Sequence, residues 1–213
     1  MVISPFPSFF RETVVTMLTD SFEDGNVTSN PEWNVTSGTA SVTTDNPRTG
    51  TYSVKGATGN ITMEHTLSSS NDDTGATWKA YFYPTVDESG ISMYQLTDNT
   101  NTTYFRLQVS PQSSTEIYAE FSSFNYTTFS GFTSDLFIGY SGENPSYPSN
   151  GWGGHYWEFS MTRTSTGFTA KITDGTNTYD FGEILLSTFS NIENVRVGFT
   201  NNVHVDDVDY GVE

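Results

Sequence analysis

Two carboxylates near the middle of the chain come closest to the residues that hydrolyse glycosidic bonds. Glu116 and Glu120 are four residues apart in a segment that alternates like a strand, with Tyr118 between them. Retaining glycoside hydrolases hold two carboxyl groups about 5–5.5 Å apart across the scissile bond. Residues four apart in a strand share a face but lie about 13 Å from each other, because a strand rises about 3.3 Å per residue. The spacing therefore predicts that this pair does not catalyse hydrolysis.

The sequence offers no other recognisable catalytic arrangement. His65, His155 and His204 are far apart and show no metal-ligand spacing, and the chain has no cysteine. It contains no Gly-x-Ser-x-Gly motif to carry a nucleophilic serine. Gly153-Gly154 lacks the strand, glycine loop and helix that phosphate binding requires. We therefore predict that the protein is not an enzyme.

Aromatic side chains are better suited to a binding function. Flat rings stack on the C–H faces of sugars, while polar neighbours bond to the hydroxyl groups. Six rings are predicted to contact a ligand: Tyr81, Tyr83, Tyr94, Tyr118, Trp152 and Tyr156. The alternative for each of them is a place in the core. Tyr81 and Tyr83 favour binding because Trp78, Ala80 and Phe82 occupy the opposite face of the same predicted strand.

The charge balance of the chain is strongly acidic. Its 213 residues include 8 Lys and Arg against 25 Asp and Glu, a formal net charge of −17 at pH 7. A surface of this sign repels phosphate backbones, which predicts that nucleic acid is not a partner. Two interpretations of the charge stay open: an ordinary acidic protein, or adaptation to very high salt in a halophilic setting.

Short alternating segments along the chain position these residues. In the clearest one, Trp157, Phe159 and Met161 alternate with polar residues, and the pattern returns from Phe168 to Ile172 after a glycine-containing break. This pattern predicts a hairpin of two half-buried strands whose apolar residues share one face. Ten to twelve such strands and no amphipathic helix predict an all-β fold, an antiparallel β-sandwich in one domain.

The N-terminal segment differs from the rest of the chain. Residues 1–19 form an apolar, extended arm that contains Phe6, Phe9 and Phe10. We predict that the arm docks onto a sister subunit of a homo-oligomer; the alternative is an edge strand in its own domain. The arm has no basic start before an apolar run, and no stretch of the chain is apolar enough to span a membrane. Neither ordinary secretion nor a membrane span is expected.

A second segment departs from the strand rhythm. Residues 122–154 contain eight aromatic residues threaded with Gly, Ser, Asn and Pro. A structureless loop of this length is uncommon inside a compact domain and usually has a function. The sequence therefore predicts a long aromatic loop at 122–154, within a sandwich body at 20–213.

Several motifs, taken in order, resemble the concanavalin A-like lectin and laminin G-type family of jelly-roll sandwiches. They are Phe22-Glu23-Asp24-Gly25 with Trp33, the strand at 50–56, the hairpin at 156–168, Val197-Gly198-Phe199 and Asp206-Asp207-Val208. The resemblance covers residues 20–213. It implies the sandwich fold and a relationship to carbohydrate-binding modules and adhesins, although the family also includes glycoside hydrolases.

The resemblance also implies a structural calcium ion where the first and last strands meet. The acidic residues at the matching positions are Glu23, Asp206 and Asp207, with Asp20 or Asp24 as further candidates. Calcium binds six to eight oxygen ligands, and carboxylates and backbone carbonyls supply them. The alternative is that these acids only contribute to a generally acidic surface.

These features together predict a non-enzymatic structural and attachment protein on the surface of a virus particle with a halophilic host. Such a capsid, turret or tail component would face host glycans or a receptor through its lectin-like sandwich. The apolar arm would hold it in a symmetric assembly. The alternative is a carbohydrate-binding module or adhesin domain of a halophilic microbe, outside the cell or on its surface.

Overall fold

Two antiparallel β-sheets stack on each other to form the protein. The computed structural model describes residues 18–71, 74–87, 90–98, 103–113, 116–125, 130–140, 148, 150–185 and 192–212. Every regular element in these ranges is a strand, fifteen in total, so the predicted all-β sandwich is confirmed. None of the residues in the same ranges forms a helix that could cross a membrane.

The first sheet has eight strands. They are β1 (Leu18–Asp20), β3 (Ala40–Thr43), β4 (Ser53–Gly56), β6 (Ala76–Pro84), β11 (Trp157–Arg163), β12 (Gly167–Thr173), β13 (Thr178–Leu185) and β15 (Val203–Val212). The sheet runs in the order β13-β12-β11-β6-β15-β4-β3, and β1 pairs with β15. The last strand of the chain is therefore central in this sheet.

The second sheet has seven strands. They are β2 (Asn34–Ser37), β5 (Asn60–Asn71), β7 (Ser92–Asp98), β8 (Thr103–Ser113), β9 (Glu116–Asn125), β10 (Ser130–Tyr140) and β14 (Ile192–Thr200). They run in the order β10-β9-β8-β7-β14-β5-β2. Strands distant in sequence, such as β5 and β14, are therefore neighbours in space.

The core lies between the sheets and follows from strand alternation. In β6, buried and half-buried residues alternate along all nine positions, because successive side chains of a strand point to opposite faces. Trp157, Phe159 and Met161 of β11 are fully buried, which confirms the hairpin prediction. From the returning strand, Phe168 meets Phe105 of the other sheet with 4.4 Å between ring centroids. Aromatic rings therefore join the two sheets.

The segment predicted as a long loop contains strand structure. The strand β9 continues to Asn125, and β10 pairs with it from Ser130 opposite Asn125 to Tyr140 opposite Glu116. The prediction of a structureless loop at 122–154 is therefore wrong over these ranges. A strand at the edge of a sheet, such as β10, is held by backbone hydrogen bonds to one neighbour. These bonds form whatever the side chains are, so a strand with Gly and Ser in it need not show an alternating pattern in the sequence. Residues 126–129, 141–147 and 149 lie outside the described residues.

The end of the N-terminal arm belongs to the sandwich. Residues 18–20 form β1, with Leu18 opposite Tyr210 and Asp20 opposite Val208. This pairing corresponds to the alternative interpretation of the arm, a strand in its own domain. Residues 1–17, with Phe6, Phe9 and Phe10, lie outside the described residues. Docking of the arm onto a sister subunit stays a prediction.

Candidate functional site

A loop covers part of the outer face of the eight-stranded sheet. In this loop, residues 45–52, the Arg48 guanidinium carbon lies 3.6 Å from the centre of the Tyr81 ring. The Arg48 backbone N–H donates to Asp206 at 2.8 Å, and its Nη1 lies 2.6 Å from an Asp207 carboxylate oxygen. The protein's own cation therefore occupies the face of Tyr81 that a sugar would need for stacking.

Three of the predicted ligand-binding rings lie together beneath and beside this loop. The Tyr83 and Tyr156 ring centroids are 5.1 Å apart, and the Tyr156 hydroxyl donates to the Asn46 carbonyl oxygen at 2.5 Å. The Tyr81 hydroxyl donates to Glu158 at 2.7 Å. The sequence was right that these rings leave the core. Tyr81 and Tyr156, however, anchor the 45–52 loop through Arg48 and Asn46, and the role of all three rings in ligand binding stays a prediction.

Two other predicted ligand-binding rings belong to the core. Neither Tyr94 nor Trp152 has exposed surface, so the prediction that they contact a ligand is wrong. Tyr94 was misassigned because β7 is buried on nearly all positions of both faces. The carboxylate of Asp87 accepts the backbone N–H groups of Trp152 and Gly153 at 2.6 and 2.7 Å, which folds that loop inward. There Trp152 stacks on Trp157.

A β-bulge explains why two consecutive carboxylates face the same loop. In a regular strand Asp206 and Asp207 would point to opposite faces, but the pairing of β15 with β6 shifts between Asp206 and Asp209. Asp207 adopts a φ of 44°, in the left-handed region that aspartate tolerates better than most residues. The bulge lets Asp206 and Asp207 bind the backbone and side chains of Arg48 and Thr49 together.

The three carboxylates predicted to bind calcium are engaged by hydrogen-bond donors. Glu23 accepts the backbone N–H groups of Thr51 and Tyr52, both at 2.9 Å, while Asp206 and Asp207 hold the Arg48 part of the loop. Within the described ranges, no three His, Asp or Glu side chains converge as a metal-binding group. In this structure Arg48 is the cation beside Asp206 and Asp207, and it uses the carboxylate oxygens that a calcium ion would need. Calcium binding stays a prediction that would require this loop to move.

Two buried carboxylates near this loop titrate abnormally. Burial raises the pKa of Asp206 to about 6, although the backbone N–H of Arg48 lowers it. Burial likewise raises the pKa of Asp20 to about 6, against the effect of hydrogen bonds from Phe22 and from the Trp33 indole. Both side chains thus bind protons more readily in the folded protein than at their ordinary pKa of 3.8.

These shifts predict that the protein is more stable at pH 5 than at pH 7. Between pH 4 and 6 the folded state binds more protons through Asp20 and Asp206, so stability falls as the pH rises through that window. His204 acts in the opposite direction, because burial lowers its pKa below 6.5, but two carboxylates outweigh one imidazole. Urea unfolding at constant ionic strength should show a gain on the order of 1–3 kcal/mol at pH 5.

A matched variant makes the pH test specific. Burial also raises the pKa of Asp209, so Asp206→Asn removes one of several groups of this kind and should reduce, without abolishing, the gain between pH 7 and pH 5. A free energy of unfolding that increases steadily from pH 5 to pH 7 in the unmodified protein would contradict the assignment.

The outer face of the seven-stranded sheet carries a row of polar side chains. Glu64, Arg196, Gln95 and Arg106 lie directly opposite one another on four adjacent strands, β5, β14, β7 and β8. Arg196 pairs with Glu64, and at the other end Arg106 donates to Glu120 of β9 at 2.8 Å. We call these five residues the polar row. Their charged side chains are between 15% and 28% exposed, whereas Gln95 in the middle of the row is buried.

Aromatic rings lie beside one end of the polar row. Tyr104 and Phe124 are opposite each other on β8 and β9, with 5.8 Å between ring centroids. The Arg106 guanidinium carbon is 5.6 Å from the centre of the Tyr104 ring. Tyr118, the sixth predicted ligand-binding ring, is half-buried on the same face of β9 as Glu120. Its role in ligand binding stays a prediction.

A shallow pocket lies at the opposite end of the polar row. Its volume is about 290 Å³, and Glu32, Asn34, Glu64, His65 and Thr66 line it. Sequence analysis did not identify this pocket or four of the five residues of the polar row. The one available signal was their alternation with core residues, which places each of them on an outer face but does not place them side by side.

Comparison with known proteins supports the fold. No family model matches the sequence, and no curated protein does. Similar solved structures include a legume lectin-like domain from Entamoeba histolytica, with 11% identity, a TM-score of 0.57, and 93% of this chain and 97% of that chain covered. A carbohydrate-binding module from Bacillus subtilis has 11% identity and a TM-score of 0.50, and the match covers 85% of this chain and 95% of the module. A β-1,3-glucanase from Mycobacterium marinum has 10% identity and a TM-score of 0.51, and the match covers 92% of this chain and 98% of the glucanase.

These likenesses concern architecture only, because their sequence identities are near 10%. They agree with the resemblance that the sequence motifs indicated. The chain has a concanavalin A-like sandwich fold, an architecture that the similar structures share whether they are named as binding domains or as an enzyme. The fold therefore does not by itself choose between binding and catalysis, and the choice depends on the site.

Proposed function

We propose that the protein is a carbohydrate-binding domain that does not catalyse a reaction, and that the polar row forms its binding face. The observation that carries this proposal is the in-register row of carboxylate, guanidinium and amide groups on four adjacent strands, which the ion pair between Arg106 and Glu120 extends to a fifth strand. Planar polar groups of this kind hydrogen-bond to sugar hydroxyls, and Tyr104 offers a ring beside them. The solved structures named as a lectin-like domain and a carbohydrate-binding module support this choice.

The separation of carboxylates on this face supports binding over hydrolysis. Glu64 and Glu120 lie four strands apart in the seven-stranded sheet, a lateral distance of about 19 Å at about 4.8 Å per strand. Glycoside hydrolases place their two carboxyl groups about 5–10 Å apart. Each of these glutamates is also paired with an arginine. Burial raises the pKa of Glu120, but its hydrogen bonds and the Arg106 charge lower it overall, which is the opposite of the shift that a general acid requires.

The charge of the protein favours ligands that carry no negative charge. Two arginines balance two glutamates within the polar row, while the whole chain carries −17. The field of the protein repels sulfated, sialylated and uronic-acid sugars at long range. We therefore expect neutral or basic glycans to bind.

Arg106→Met tests the proposed face. The variant keeps the aliphatic stem and removes the guanidinium, so a glycan that bonds to it should bind about tenfold more weakly. A glycan array should identify the ligand, and isothermal titration should measure its affinity. The matched control is Lys171→Met, an exposed position of the eight-stranded sheet, which should not change affinity. An array without a binder, or a binder that is indifferent to Arg106→Met, would contradict the proposal.

For the biological setting we propose an attachment protein on the surface of a virus particle with a halophilic host. The acidic composition and the apolar sequence predicted as an arm at residues 1–19 support this setting. The alternative, a carbohydrate-binding module or adhesin domain, has equal support from the fold. Affinity for surface glycans of a halophilic cell in molar salt favours the virus particle. Affinity for a plant or algal polysaccharide favours the module.

A further inference from the structure

The pocket at the end of the polar row has a chemistry that selects its ligand. We infer that it binds a sugar bearing a free primary amine, in the ammonium form, such as a glucosamine unit. This inference rests on the proposed carbohydrate-binding function and adds the class of sugar to it. It depends on where the pocket lies, on which hydrogen-bonding atoms remain available in it, and on its charge.

The strand pairing creates the space. The edge strand β2 begins at Asn34, directly opposite Glu64 of β5. Beyond that point, none of the strands in the described part of the chain pairs with His65 and Thr66 on this side, and Glu32 lies in the segment that leads into β2. An indentation of about 290 Å³ remains at the sheet edge. Glu64 belongs to both the pocket and the polar row, so a ligand on the row can place a terminal unit there.

Two of the lining residues use their donors inside the protein, while the exposed Asn34 side chain still offers an amide donor as well as an acceptor. The His65 Nδ1 lies 2.8 Å from the Glu32 carbonyl oxygen, which can only accept, so Nδ1 carries the hydrogen. The Thr66 hydroxyl donates to the Asn194 side-chain oxygen at 2.8 Å and retains its acceptor lone pairs. The pocket therefore offers mostly acceptors, which complement a ligand rich in N–H and O–H donors.

Charge favours a cation over a neutral donor. Arg196 contacts one oxygen of Glu64, while the carboxylate of Glu32 has no ion-pair partner among the residues that the structure describes. An ammonium group offers three donors and one positive charge to such a site. A bare metal ion fits less well, because the described residues contain no group of three His, Asp or Glu side chains that could hold one.

The test compares a chitosan oligosaccharide with its fully N-acetylated counterpart by isothermal titration, at low ionic strength and a pH below the pKa of the amine. The free amine should bind about two- to fivefold more tightly, the value of one exposed charge pair. Glu32→Gln should abolish this preference, whereas Asp180→Asn, an exposed carboxylate on the eight-stranded sheet, should leave it intact. Raising the salt concentration should reduce the preference in the unmodified protein.

The outcomes separate the two proposals. Arg106→Met should weaken both oligosaccharides equally and keep the preference, because it acts on the row and not on the pocket. If neutral glycans bind the row but the amine brings no gain, the pocket inference fails and the carbohydrate-binding proposal stands. If no glycan binds at all, both fail. Equal displacement of the oligosaccharide by a lysine-rich peptide would overturn the assignment to an amino sugar.

Discussion

Trp157→Ala should lower the free energy of unfolding by about 3–5 kcal/mol, the usual range for removing a buried tryptophan. The side chain has no exposed surface. Its ring stacks on Trp152 with 4.2 Å between centroids and an interplanar angle of 19°. Its indole N–H donates to the Trp152 carbonyl oxygen at 2.8 Å. The substitution thus opens a cavity and releases the loop that carries Trp152.

Two further variants make this result interpretable. Trp157→Phe keeps a ring in place and loses the indole donor, so it should cost less than the alanine variant, about 1–3 kcal/mol. Leu185→Ala removes a side chain that is 64% exposed and should change stability by no more than about 0.5 kcal/mol. Urea denaturation followed by circular dichroism measures all three. A loss below about 1 kcal/mol for Trp157→Ala would show that the stacked pair does not stabilise the core.

The strands could be predicted from the sequence because their signal is local. Alternation at Trp157, Phe159 and Met161 depends only on residues two apart, and the structure buries all three. The same rule placed Tyr81 and Tyr83 outside the core correctly. It failed at Tyr94, because both faces of β7 are covered and alternation there carries no information.

The polar row could not be predicted because it depends on strand order. Glu64 and Arg196 are 132 residues apart in the sequence, and they meet only because β14 lies between β5 and β7. Alternation specifies the face of each residue but neither the neighbouring strand nor the register. The same limit applies to Arg48, whose position over Tyr81 follows from the path of a loop and not from a periodic pattern.

The second large effect is expected at that loop. Arg48→Met should destabilise the protein by about 2–3 kcal/mol at pH 7, below the 3–5 kcal/mol of a fully buried pair, because Arg48 is partly exposed. Methionine can keep the aliphatic contact with Tyr81, and the backbone N–H that binds Asp206 is unchanged. The loss therefore reports on the guanidinium, which neutralises Asp207 beside Asp206.

The cost of Arg48→Met should depend on pH. At pH 5 Asp206 is largely protonated, because its pKa is about 6, and fewer negative charges then need the arginine. The loss at pH 5 should therefore be smaller than at pH 7. Lys55→Met is the matched control: its ion pair with Asp45 is exposed, and such pairs contribute at most about 1 kcal/mol. Equal losses for Arg48→Met and Lys55→Met, or no difference between the two pH values, would contradict the role of Arg48 as the cation of this acidic cluster.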